Sequence, residues 1–173
     1  WGSAALADQL PLERTLLVAD ARFGRGDHAA LERMVDSLDV LTANDPVHKA
    51  LADAIRARLL RYNGSLQQAY DLLNSEHRTP HLVKDSVARL IITNEKAVLL
   101  KAMRLPGPAK ESANQGYQLA RALGIRFYEL NLLILLAEID RIQGRPVQGL
   151  QRLNEAETLA NNTGFIRSQC NVG

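Results

Sequence analysis

The chain has 173 residues, enough for one domain or a compact repeat array with a sizeable buried core. Apolar residues make up 46 % and aromatics only 5 %, a balance that favours Ala/Leu-rich helix packing over a β-sandwich. Lys and Arg total 21 against 19 Asp and Glu, and a net charge of +2 is too mild to imply nucleic-acid or membrane binding through overall charge.

In chain order, almost every segment reads as helix. Pro11 to about Gly24 places Leu12, Leu16, Leu17 and Ala19 on one side, with Pro at a favoured first-turn position. After "GRGD", Asp27 caps a second helix running through Leu41, whose apolar positions Leu31, Met34, Val35 and Leu38 recur at three- and four-residue steps. "TANDP" breaks it, and Asp45 with Pro46 opens a third helix to about Tyr62. "NGS" is a turn, with Ser65 capping a short helix that ends near Asn74.

"SEHRTPH" reads as a loop, followed by a long helix from about Leu82 to Arg104 that "PGP" stops. A sixth helix carries Tyr117, Leu119, Ala120 and Leu123 up to Gly124. The seventh, Ile125 to Gln143, is apolar on nearly all sides and must therefore be sandwiched between neighbours. The eighth spans Pro146 to about Asn161. No segment shows sustained period-two alternation, so the expected class is all-α.

A repeat underlies this series. Gly26, Gly64, Gly107 and Gly144 each lie between two helices, separated by 38, 43 and 37 residues. Five or six residues beyond them stand small residues in most units (Ala69, Ser112 with Ala113, Gly149, but Leu31 in the first). Nine or ten beyond stand Val35, Leu73, Tyr117 and Leu153. A Gly at the turn permits a conformation closed to side chains with a Cβ, and the small residue lets the second helix approach the first. Hairpins of this kind cannot bury both faces alone. They are expected to stack into an αα-solenoid of about four repeats, near 11–45, 46–80, 81–124 and 125–163, with 164–173 starting a further helix. The alternative is an ordinary helical bundle whose turns happen to contain Gly.

At "LLILLAEIDRIQGRPVQGLQRLNEAETLA" the pattern resembles a tetratricopeptide repeat. Leu136 and Ala137 are similar to its Leu-Gly/Ala pair, Gly144 to its turn Gly, Gly149 to its small residue, and Leu153 and Ala156 to later core positions. The longer period, with "ARALGIRFYELNLLILLAEIDRIQG" and "AETLANNTGFIRSQCNVG", resembles the repeat domain of large ATP-dependent LuxR-type transcription activators, the maltose-regulon activator family. The likeness is specific mainly over residues 113–173. It implies a regulatory sensor that binds a small-molecule inducer or a peptide or protein partner and controls self-association. The chain carries no Walker-type G-x-x-x-x-G-K-[ST], and no DNA-binding segment, so no direct nucleic-acid binding is expected of it. It reads as a piece of a larger regulator. Similar repeats also precede diguanylate cyclase and kinase modules, and a protein-interaction scaffold is the alternative function.

Nothing in the pattern points to an enzyme or a cofactor. His77 and His81 stand four apart beside Glu76, but Pro80 between them breaks the helix that would align them on a metal. Cys170, the single Cys, has no nearby His, excludes an internal disulfide and suits a reducing, cytoplasmic setting. Glu155 and Glu157 lie two apart on a helix and point in different directions. The longest apolar stretch, "LNLLILLAEI", is half the length that a membrane span needs.

The repeat register suggests one binding surface. Three residues before the turn Gly stand Phe23, Arg61, Arg104 and Arg141; six before stand Asp20, Arg58, Lys101 and Glu138; thirteen before stand Glu13, Leu51, Asn94 and Asn131. If the first helix of each hairpin lines a concave face, Arg58, Arg61, Lys101, Arg104 and Arg141 form a basic ladder, with Asn94 and Asn131 offering amides to an anionic ligand, acidic peptide or partner helix. The same cations also suit a structural role, since Arg in a helix's last turn meets orphan carbonyls for about 0.3–1 kcal/mol each. An open last hairpin near Cys170 would leave an apolar end able to pair with a second copy.

Overall fold

The computed structural model describes residues 25–41, 46–74 and 85–163. Over them the chain is entirely helical, with no strand. The helices are α1 (His28–Leu41), α2 (Pro46–Tyr62), α3 (Leu66–Asn74), α4 (Ser86–Ala102), α5 (Pro106–Leu123), α6 (Arg126–Ile142) and α7 (Pro146–Thr163). The helix expected over Pro11 to Gly24, together with Glu13, Asp20, Phe23, His77, His81 and Cys170, lies outside the described residues.

Local chemistry accounts for the boundaries. Asp27 Oδ1 accepts the Ala30 N–H at 3.3 Å, closing the open first turn of α1. Asp85 does the same for α4, accepting from the Val87 and Ala88 amides at 2.8 and 2.9 Å. α2, α5 and α7 each begin on a proline, whose missing N–H is of no consequence in the first turn.

The "PGP" segment behaves differently from its expected role as a stop. α4 has already ended at Ala102, and Pro106, Gly107 and Pro108 form the first turn of α5. The turn residue is Arg104, at φ 61°, whereas Gly107 is helical. Gly64 and Gly144 hold the corresponding place after α2 and α6, at φ 80° and 72°. All three turns share one hydrogen-bond pattern. The turn residue's N–H donates to the carbonyl of Arg61, Lys101 or Arg141, and the next N–H donates to that of Leu60, Leu100 or Asp140.

With Arg104 in place of Gly107, the register becomes regular. α2, α4 and α6 have 17 residues each and begin at 46, 86 and 126; α3, α5 and α7 begin at 66, 106 and 146. Residues 40 apart are therefore equivalent. Ala57, Ala97 and Ala137 are all buried, as are Ala69, Ala109 and Gly149.

The chain divides into two compact units, Trp1–Glu95 and Lys96–Gly173, the boundary falling within α4. In the first, α2 packs against both α1 and α3, burying Leu31, Leu51, Ile55 and Leu73. In the second, α6 packs against α5 and α7 and buries residues on all sides, from Phe127 to Asp140, as its all-round apolar sequence requires. α7 approaches α6 so closely that a Cβ on Gly149 would stand 3.0 Å from the Ala137 carbonyl oxygen.

Candidate functional site

The residues of the expected basic ladder have distinct environments. In the first unit Arg58 and Arg61 gather on Glu95, a carboxylate only 1 % exposed. Arg58 donates to Glu95 Oε2 from Nε at 3.3 Å and from Nη2 at 3.0 Å. Arg61 Nη2 stands 3.8 Å from Oε1, close enough for ion pairing but beyond a hydrogen bond. Glu95 Oε1 accepts no hydrogen bond, and neither does Arg61 Nε donate one. Asn94 is itself buried on α4. These two arginines compensate a carboxylate that the unit has buried, which leaves them less available to a ligand.

In the second unit Lys101 pairs with Glu138. Arg104 is exposed at its turn, Asn131 is half-buried on α6, and Arg141 is exposed near the end of α6. The 40-residue register aligns Arg61, Lys101 and Arg141, so Lys101 rather than Arg104 is the counterpart of the other two. Val98 replaces Lys101 as the counterpart of Arg58 and Glu138.

Two concavities of the second unit escaped the sequence reading. One, of about 270 Å³, lies between α6 and α7 over Ala137 and Gly149, with Arg141 and Glu138 on one wall and Leu150 and Leu153 on the other. Gly149, which carries no side chain, is part of its lining. The other, of about 420 Å³, is bounded by Tyr117 on α5, Glu129 and Leu133 on α6, and Asn154, Glu155, Thr158 and Leu159 on α7. Their separation in sequence conceals it. No spacing rule links Tyr117 to Thr158.

The larger cavity has a fixed polar wall. Glu129 is 5 % exposed and is oriented by Arg126, whose Nη1 donates to Oε2 at 2.5 Å, with Arg121 Nε 3.8 Å from Oε1. The Arg121 guanidinium also lies 5.8 Å from the centre of the Tyr117 ring, within cation–π range. Burial pushes the Tyr117 phenol above its ordinary pKa; Arg121 opposes this, while Glu129 and Glu155 add to it. Tyr117 therefore remains a neutral hydroxyl that can donate or accept. Leu133 belongs to the unit's apolar cluster, against which Tyr117 and Leu159 pack.

Elsewhere in the unit, Asp140 on α6 ties the three helices together. It is fully buried, accepting from Lys110 on α5 at Oδ1 and from Arg152 Nε on α7 at 2.8 Å at Oδ2. Desolvation raises its pKa, but the two hydrogen bonds and the two positive charges outweigh that and hold the carboxyl below its usual range. Among the described residues no cluster of three or more His, Cys, Asp or Glu could hold a metal ion. No described helix is long and apolar enough to cross a membrane. Comparison of the chain with protein-family models, curated proteins and solved structures finds no match.

Proposed function

We propose that this chain is a regulatory sensor domain whose helical hairpins stack as a tetratricopeptide-like αα-solenoid, of the kind that LuxR-type transcription activators resembling it carry. It works in the cytoplasm and reports a small molecule to the rest of a larger regulator. The 40-residue register of helix starts supports the hairpin repeat. The observation that carries the sensing role is the open concavity of about 420 Å³ between α5, α6 and α7, a volume within the range of small-molecule sites.

The lining selects the ligand's chemistry. Glu129 and Glu155 offer carboxylate acceptors, Asn154, Thr158 and the Tyr117 hydroxyl offer adjustable polar contacts, and Leu133 and Leu159 give an apolar floor. This favours a compact molecule rich in hydrogen-bond donors, an amine or a polyol, with one apolar face. Ligand held there bridges three helices, so it can bias how they pack.

A thermal-shift screen of the chain against amines and polyols tests the proposal. A ligand at about 100 times its Kd should stabilise the fold by about 2.7 kcal/mol, and the shift should saturate. Tyr117→Phe and Glu155→Gln should each weaken it while leaving the unliganded melting curve in place. A panel without any saturating shift, or a shift indifferent to both substitutions, rejects the cavity as the sensing site.

A further inference from the structure

The second unit exposes more apolar side chain than its hairpins require, and most of it lies on one helix. Val147, Leu150 and Leu153 follow one another at three-residue steps along α7 and are 64 %, 61 % and 44 % exposed. On α5, 40 residues earlier, the equivalent positions are Gly107, Lys110 and Ala113. Leu73, the equivalent of Leu153 on α3, is fully buried. The stripe is thus particular to α7, and it borders the 270 Å³ groove over Gly149.

Charge is arranged along the same stripe. Glu157, four residues beyond Leu153, stands exposed towards its C-terminal end. Arg141, on the groove wall, and Arg145, just before α7, stand exposed towards its N-terminal end. None of the three enters an ion pair among the described residues, although Arg152 and Glu138 nearby are both paired. The stripe therefore runs basic, apolar, acidic. A two-fold axis through Leu150 and Leu153 would bring apolar middle onto apolar middle and each basic end onto an acidic end. A surface complementary to itself under two-fold rotation is what an isologous dimer requires, whereas a different partner imposes no such symmetry.

We propose that this face pairs with a second copy of the chain, α7 against α7 in antiparallel orientation, with Leu150 and Leu153 at the centre. Arg141 and Arg145 of each copy meet Glu157 of the other. The inference is independent of the sensing cavity, which uses Asn154, Glu155, Thr158 and Leu159 on another face of α7.

Sedimentation of the 173-residue chain over a concentration series tests it. The unaltered chain should show a monomer–dimer equilibrium, and Leu150→Asp with Leu153→Asp should give monomer with an unchanged helical spectrum, because both side chains already face solvent. Glu157→Arg alone, and Arg141→Glu with Arg145→Glu, should each weaken the dimer by about tenfold or more, as like charges then meet across the interface. All three substitutions together restore the opposite-charge contacts and should bring association back to within about threefold of the original. A chain that stays monomeric at high concentration assigns the stripe to some other partner and overturns the proposal. So does a dimer insensitive to Leu150→Asp, or one that the combined charge exchange fails to restore.

Discussion

The α2–α3 and α6–α7 hairpins have the same layout and opposite outcomes. Each joins a 17-residue first helix to a second helix through a positive-φ Gly with the same pair of turn hydrogen bonds. Yet Arg61 in the first is drawn onto buried Glu95, while its counterpart Arg141 stands exposed beside a groove. Leu73 is fully buried and its counterpart Leu153 is 44 % exposed. The backbone pattern thus sets where a hairpin can pack, and a few side chains decide whether that surface is consumed internally or kept free. Substitutions at three places in the hairpins probe the difference.

The largest effect is expected at Asp140. Its counterpart in the first hairpin is Leu60, and in α4 Leu100, so the second unit has placed a charge where apolar residues serve elsewhere. Asp140→Ala strips the counter-charge from Lys110 and Arg152 and should cost about 3 kcal/mol in urea unfolding, towards the lower end for a broken buried pair because both cations keep some solvent contact. Asp140→Leu should lose nearly as much, since volume is restored but charge is not. An Asp140→Leu protein as stable as the original would make the two hairpins interchangeable here. The pH dependence has a definite sign. With its folded pKa lowered, Asp140 contributes its full stabilisation above the ordinary carboxylate pKa of about 4, and loses it as acid protonates the folded form. Acid unfolding of Asp140→Ala should accordingly fall less steeply below about pH 4 than that of the unaltered chain.

A smaller effect separates the hairpins at their closest helix contact. The first hairpin has Ala69 there and the second Gly149, whose missing Cβ keeps α7 clear of the Ala137 carbonyl oxygen. Gly149→Val forces a branched side chain against that backbone and should cost about 1–3 kcal/mol by overpacking. It should also fill the α6–α7 groove. Ala69→Gly removes a helix-favouring residue without a clash and should cost about 1 kcal/mol. Equal losses at the two sites would mean that the close approach at Gly149 has no special consequence.

Much of the architecture was legible because it is written in local chemistry. Asp27, Pro46 and the "NGS" turn place α1, α2 and α3 where sequence rules put them, and the apolar girth of α6 correctly implies neighbours on both sides. The candidate ladder was less legible. Arg58 on α2 meets Glu95 on α4 across 37 residues of sequence, a pairing that no periodicity announces. The Tyr117 cavity draws on three helices and is hidden for the same reason. The displaced turn after α4 has a single physical source. Gly107 lies three residues downstream of the turn at Arg104, so a register drawn on glycines displaces the candidate residues of α4 by three positions.

That turn supplies the finest test of the comparison. Arg104 occupies the left-handed region at φ 61°, where Gly64 and Gly144 serve the other two hairpins. A Cβ there crowds the following carbonyl, a cost of about 1–2 kcal/mol that glycine avoids, offset in part by glycine's greater freedom in the unfolded chain. Arg104→Gly should therefore stabilise the protein by about 0.5–1 kcal/mol and raise its melting midpoint by about 1–4 °C. Gly144→Arg, the reverse exchange at the equivalent turn, should lower it by a similar amount. The pair also separates a ligand contact from a turn role for Arg104. A ligand contact from the arginine would show as weaker ligand-induced stabilisation in the more stable Arg104→Gly protein, whereas an unchanged ligand shift on a higher baseline identifies Arg104 as a strained turn residue.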